Sequence, residues 1–185
     1  MPAWQALTLS ANGILRVIES ACEVCTGFDP VADPQAAHPQ WYGPFRAIWD
    51  TGATNSVITQ KVVDDCGLLP TGMTITHGVH GEQAAETYLC NLRLPNGVAF
   101  SNIGVTKGSL GDAHILLGMD VISSGDFAVT NFEGRTVMSF RTPSTRCIDF
   151  VKEHREQAAH EQHGGSKRDR RKRAPKQFGK NKHHK

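Results

Sequence analysis

The sequence lacks any apolar run long enough to cross a bilayer as a helix, which takes about 20 consecutive apolar residues. Stretches such as Ile115-Leu116-Leu117 are interrupted within a few positions by Gly, Asp or Ser. No basic segment followed by an apolar one opens the chain, so a secretory leader is not expected. Cysteine is sparse and odd in number, with Cys22, Cys25, Cys66, Cys90 and Cys147 scattered along the chain. That pattern does not suit a disulfide framework. It suits free thiols in a reducing compartment, and a cytoplasmic protein that needs no membrane is expected. Cys22-Glu23-Val24-Cys25 has no second Cys pair to complete four ligands. Its neighbours favour a strand, so the two thiols read as strand cysteines, and neither a metal nor a cofactor is expected.

What is present divides into two parts. The 185 residues suffice for one domain with a real core, plus extensions. The formal net charge of +2 hides an asymmetry: residues 1–151 carry 8 Lys/Arg against 14 Asp/Glu, and residues 152–185 carry 12 against 4. An acidic body and a basic tail are separate physical units. The boundaries expected are an N-terminal hairpin and proline-rich loop over 1–43, a folded domain over 44–144, a helix within 145–165 and a basic tail over 166–185.

The body reads as many short strands. Leu7-Thr8-Leu9 and Ile14 to Ile18 flank Asn12-Gly13, a hairpin signal, and the second strand runs on towards Val24. Residues 26–44 contain Pro30, Pro34, Pro39 and Pro44 and read as a loop, with Trp41 and Tyr42 to anchor it. Phe45 to Trp49 forms a strand. Thr59 caps a short helix over Gln60 to Cys66, which Gly67 ends. Met73 and Ile75 alternate with Thr74 and Thr76, and Glu82 to Leu94 returns with Tyr88, Cys90, Leu92 and Leu94 on one face. Turns at Pro95-Asn96-Gly97 and Glu133-Gly134 join further strands. Ile115-Leu116-Leu117 reads as a strand buried on both faces, and a second short helix is expected over Asp120 to Ser124. The fold class is therefore all-β, a barrel or sandwich with one or two short helices.

The stretch that organises this pattern is Ala47-Ile48-Trp49-Asp50-Thr51-Gly52-Ala53-Thr54. An apolar strand ends on a carboxylate, at a turn that Gly52 lets fold back tightly. A buried unpaired charge is costly there, unless a second carboxylate shares a proton with it. Asp50-Thr51-Gly52-Ala53, together with Leu116-Leu117-Gly118 some 65 residues later and a glycine-bearing hairpin between them, resembles the retropepsin-like aspartic proteases over roughly residues 44–141. The chemistry that this resemblance implies needs two aspartates with split pKa values: one acid activates water while the other protonates the substrate carbonyl.

The resemblance implies a small, partly closed β-barrel with the N-terminal hairpin as an extension. It implies that Asp50 is catalytic and that Thr51, Gly52, Ala53 and Thr54 support the loop. His77, Gly78, Val79, His80 and Gly81 would form a flap over an extended peptide, and Leu116, Leu117 and Gly118 would pass beneath the loop. Only one Asp-Thr-Gly is present, so the second carboxylate would come from a second copy in a two-fold homodimer, whose isologous interface sets each residue opposite itself. Asp120 reads as a helix cap or ion-pair partner, and His77 and His80 lack a third ligand for metal. The rival reading is the same barrel without turnover, a peptide-binding module or a nucleic-acid binder acting through its tail.

The tail, with Lys167-Arg168-Asp169-Arg170-Arg171-Lys172-Arg173 and one large apolar residue, Phe178, cannot bury enough surface to offset ordering entropy and is expected to be disordered. It suits either a solubilising role or non-specific contact with nucleic-acid phosphates. If the tail binds, retention of the full chain on a single-stranded DNA column falls steeply with salt, and deletion of residues 166–185 abolishes it. Salt-independent retention would place the binding in the folded body.

Overall fold

The computed structural model describes residues 4–29, 31–32, 39–78 and 81–160. The expected basic tail over 166–185 lies outside them, as do Val79 and His80. Among the described residues ten strands carry the fold: β1 (Gln5–Ser10), β2 (Ile18–Thr26), β3 (Tyr42–Trp49), β4 (Val57–Ile58), β5 (Pro70–Gly78), β6 (Gly81–Arg93), β7 (Ala99–Lys107), β8 (Ile115–Leu117), β9 (Asp126–Thr130) and β10 (Val137–Thr142). Two short helices interrupt them, α1 (Gln60–Cys66) and α2 (Met119–Ile122). The all-β expectation holds.

Seven strands form one sheet in the order β2-β3-β8-β4-β7-β6-β5, and β2 also pairs with β6. That pairing closes six of them into a ring and leaves β5 outside it, which is the partly closed barrel expected. The long strand β6 makes this possible. Its last residues pair with β2, from Thr26↔Cys90 to Glu23↔Arg93, while its first part pairs with β5, from Pro70↔Tyr88 to Gly78↔Gly81. The interior alternates as a period-two strand requires. Tyr88, Cys90 and Leu92 of β6 are buried, with Leu94 just beyond it, and they meet Val24, Ile58, Val62, Val105, Ile115 and Leu117 in one core. Within the ring, β8 lies between β3, to which it is parallel, and β4, to which it is antiparallel.

The helix α1 follows its sequence signals at one end only. Val62, Val63 and Cys66 face the core, and Gly67 ends the helix in the left-handed region at φ 60°. Thr59 holds the N-cap position, but its hydroxyl makes no cap hydrogen bond. Its carbonyl accepts the Val62 and Val63 N–H groups instead, at 3.0 and 3.2 Å.

The N-terminal segment departs from expectation. β1 and β2 do not form a hairpin about Asn12-Gly13. β1 pairs antiparallel with β10, and β10 with β9, in a separate three-stranded sheet, while β2 enters the ring. The turn signal lies in a link over 11–17 that is tied to Thr136: Ala11 N–H donates to the Thr136 carbonyl, Thr136 N–H to the Gly13 carbonyl, and Leu15 N–H to the Thr136 hydroxyl. The physical reason is burial. In register with β10, Leu7 sits opposite Phe140 and Leu9 opposite Met138, and this apolar face covers the ring. Trp49 of β3 stacks on Phe127 at 5.6 Å between ring centroids and lies 5.2 Å from Phe140. Pairing is decided by where the apolar face is covered, not by the nearest turn.

The chain divides into two units, residues 1–145 and 146–185. In the second, residues 150–160 are helical, within the expected span, and Phe150 and Val151 are exposed. No helix among the described residues is long and apolar enough to cross a membrane.

Phe140 is fully buried and touches both Trp49 and Phe100. Phe140→Ala is expected to cost about 3–5 kcal/mol, as large-to-small changes in packed cores do. Phe132→Ala, at a side chain that is 76% exposed, should stay within about 0.5 kcal/mol. Urea unfolding of the two variants checks the contrast, read as midpoints at constant slope.

Candidate active site

β3 delivers Asp50 to the rim of the ring. The Asp50 N–H donates to the Leu117 carbonyl at 3.0 Å, continuing the β3–β8 ladder by one step. The chain then turns at once. Ala53 N–H donates to the Asp50 carbonyl at 3.3 Å, and Gly52 N–H donates to Asp50 Oδ1 at 2.8 Å. A side chain on Gly52 would stand 3.2 Å from that same carboxylate oxygen. Asp50 is half-buried, Thr51, Gly52 and Thr54 are exposed, and Ala53 is half-buried. The result is a carboxylate held from one side by a backbone N–H and open on the other.

Beneath this turn runs the second segment singled out by sequence. Leu116 pairs with Ile48 and Leu117 with Trp49. Gly118 then lies directly under the loop: a Cβ there would come within 2.7 Å of the Asn55 carbonyl carbon and 3.0 Å of the Ala53 carbonyl oxygen. Real side chains do not approach backbone that closely, so this position admits glycine alone. Two backbone bonds fasten the layers, Met119 N–H to the Ala53 carbonyl at 2.8 Å and Asp120 N–H to the Thr54 carbonyl at 3.2 Å.

Sequence reasoning missed Ser56 and gave Asp120 a smaller part. Ser56 is fully buried. Its hydroxyl donates to Asp120 Oδ1 at 2.8 Å and accepts the Gly118 N–H at 3.1 Å, while its own N–H donates to Asp120 Oδ2 at 2.9 Å. Asp120 does stand in the first turn of α2, and Oδ1 also accepts the Val121 N–H at 3.0 Å. The larger share of its hydrogen bonding goes to the loop's exit. The signal available in the sequence was a serine heading an apolar pair, Ser56-Val57-Ile58, whose burial requires a partner for its hydroxyl.

The flap residues form their own arm. β5 and β6 make a hairpin whose described ends are Gly78 and Gly81, the latter at φ 93°. His77 is exposed, with Nδ1 3.4 Å from a Glu82 carboxylate oxygen. Val79 and His80 fall outside the described residues. Among the described residues no hydrogen bond joins this arm to the Asp50 loop. The structure thus brings Asp50 to Thr54 together with Leu116 to Gly118 and keeps residues 77, 78 and 81 on a separate element.

Other chemistry is accounted for elsewhere. Asp126 accepts the Ser144 hydroxyl, the Thr145 N–H and the Arg141 guanidinium, which hold its carboxyl well below the usual carboxylate range. Asp29 accepts the Val31 and Ala32 N–H groups in a local turn. Cys22, Cys25, Cys66 and Cys90 are buried free thiols. Burial pushes the Cys22 and Cys66 thiols up to about 12 and Cys25 up to about 11, and raises Cys90 as well. None of these is a ready nucleophile, since the thiolate is the reactive form. A cleft of about 390 Å³ lined by Tyr42, Pro44, Phe45, Lys61, Asp65 and His114 lies at the opposite end of β3 from Asp50.

Residues 42–124 match the family described as gag-polyprotein putative aspartyl protease. Among solved structures, the chain is similar to a retropepsin-like aspartic protease from Rickettsia conorii at 15% identity, with 76% of this chain and 96% of that one covered and a TM-score of 0.42. It is also similar to the simian foamy virus protease, at 18% identity, 57% and 91% coverage and a TM-score of 0.36. The retroviral protease-like domain of Ddi1 from Leishmania major shares 14% identity, with 62% and 82% coverage and a TM-score of 0.38. No curated protein matches the chain. The family match covers residues 42–124, which hold both Asp50 and Gly118: this part of the chain resembles the gag-polyprotein aspartyl proteases, and the partly closed ring of strands agrees with a retropepsin-like fold.

Proposed function

We propose that this protein is an aspartic endopeptidase whose active site forms from two copies of the chain, each supplying Asp50. The observation that carries the reading is the Asp50 turn itself: a half-buried carboxylate fixed by the Gly52 N–H, on a loop seated against Gly118. A general base must be held in place and still reach its substrate, and this geometry meets both requirements. The acids nearest in kind within the chain are committed elsewhere. Both Asp120 oxygens serve Ser56, and Asp126 is bound by Ser144, Thr145 and Arg141. A second copy is therefore the natural source of the partner carboxylate, and the exposed Thr51 and Gly52 lie where two loops would meet across a two-fold axis.

In the assembled site one carboxylate takes a proton from water as the water attacks the scissile carbonyl. The other, protonated, donates to the carbonyl oxygen, and the gem-diol then collapses as the amide nitrogen is protonated and leaves. Two carboxylates about 3 Å apart cannot both ionise easily, so the pair holds one proton and works below neutrality. The β5–β6 arm would lie over the bound peptide, with His77, Gly78 and Gly81 towards its end. The tail would add non-specific nucleic-acid contact.

The test combines substitution with dilution on a peptide library. Asp50→Asn keeps the size of the side chain and removes the base; cleavage should fall by at least about 10²-fold. Specific activity of the natural chain should drop on dilution through the dimer dissociation constant, and excess Asp50→Asn chains should poison it. Full-rate cleavage by a chain shown to be monomeric by sedimentation would mean that the second acid lies within one chain. Binding of peptides without any cleavage would instead support the silent module.

A further inference from the structure

We infer that Ser56 and Asp120 act as one positioning unit for Asp50, an inference that deepens the protease reading above and rests on it. Its ground is the arrangement of donors around one carboxylate. Asp120 accepts both the N–H and the hydroxyl of Ser56, and the same hydroxyl accepts the Gly118 N–H. Residue 56 is thereby tied to both segments that make the site: the loop that leaves Asp50 and the glycine beneath it. The Asp120 N–H returns the link to the Thr54 carbonyl. Between Asp50 and Ser56, Thr51, Gly52, Thr54 and Asn55 are exposed and bring little packing of their own. The loop is fixed at its entry by the Asp50–Leu117 bond and at its exit by Ser56.

A serine this deep in the protein is costly unless its hydroxyl is satisfied. Here it is satisfied twice, once as donor to a carboxylate, the stronger class of hydrogen bond. Neither residue touches the reacting atoms in this arrangement. Their effect passes through the Thr54 carbonyl, which the Asp120 N–H holds, and through Gly118 and the adjoining Met119, whose N–H holds the Ala53 carbonyl, and so through the placement of the turn that carries the Asp50 carboxylate. Misplacement of a catalytic group by about 1 Å costs on the order of 10²-fold in rate. Ground-state binding of a peptide along a groove depends far less on it.

The variants are Asp120→Asn, which keeps one acceptor oxygen, Asp120→Ala, Ser56→Ala, and the pair Ser56→Ala with Asp120→Asn, all in the full chain. Active sites are counted by titration with a peptide carrying a tetrahedral hydroxyl mimic of the hydrated carbonyl. Turnover per titrated site is expected to fall about 10- to 100-fold, with KM within about threefold. Asp120→Asn should fall less than Asp120→Ala, and the pair should lose little more than the worse single variant because the two act together. A purely structural role would remove titratable sites and leave turnover per site intact, and that result overturns the inference. Amide exchange separates this failure from failure of the protease reading. In Asp120→Asn the Ser56, Gly118, Met119 and Asp120 amides should exchange at least tenfold faster while those of β6 and β10 do not change. A natural chain that never cleaves would defeat the protease reading alone. Unchanged exchange at those four amides would overturn the positioning unit whatever the activity.

Discussion

The Asp50 turn depends on the absence of one methyl group. Gly118 lies so close under Asn55 and Ala53 that any Cβ would meet backbone carbon within 2.7 Å, and backbone cannot yield as a flexible side chain does. The loop, the strand β8 and the helix α2 occupy their places because nothing projects between them. Met119 and Asp120 can then reach the Ala53 and Thr54 carbonyls with their N–H groups, and Asp120 can reach Ser56. Close approach permits these hydrogen bonds, and the hydrogen bonds hold the approach.

A second layer of order comes from outside the ring. Trp49 precedes Asp50 directly, and its ring is enclosed by Phe127 and Phe140 on the three-stranded sheet, with its indole N–H donating to the Ser20 hydroxyl at 3.0 Å. A large aromatic at that position needs a large apolar cover. The sheet of β1, β10 and β9 supplies it, which gives the N-terminal strand a reason to be where it is. Packing on one side of Trp49 and the hydrogen-bonded turn on the other fix the direction in which the chain presents its carboxylate.

Much of this was legible in the residues. The alternation from Tyr88 to Leu94, the Asn96-Gly97 turn and the left-handed Gly67 all express short-range chemistry, and at these places the short-range signals named the elements correctly. Asp50-Thr51-Gly52 could be singled out because a carboxylate ending an apolar strand is locally anomalous, and Leu117-Gly118 because it resembles the family's apolar-apolar-Gly segment. Long-range partnership was not legible. Nothing near Leu7 announces Phe140, 133 residues on, and the Asn12-Gly13 signal pointed to the wrong neighbour because turn propensity ranks below burial of an apolar face. Ser56 escaped for a related reason: a serine's sequence context does not say whether its hydroxyl meets water or a carboxylate. Thr59 shows the converse, a residue of the right type at the right position whose side chain takes no part.

The closure of the ring by the end of β6 has a mechanical meaning. One half of that strand is gripped on both edges, by β7 and β2, whereas the other half extends to the β5 hairpin. The hairpin is a cantilever: a beam clamped at its root in the barrel wall and loaded at its tip. Met73 and Ile75, 65% and 60% exposed on the outer strand, add little to hold the beam down. A force at the tip bends two strands and leaves the hydrogen bonds at the clamp, and the core behind them, as they were. The barrel can therefore stay rigid around the Asp50 turn while the arm bends.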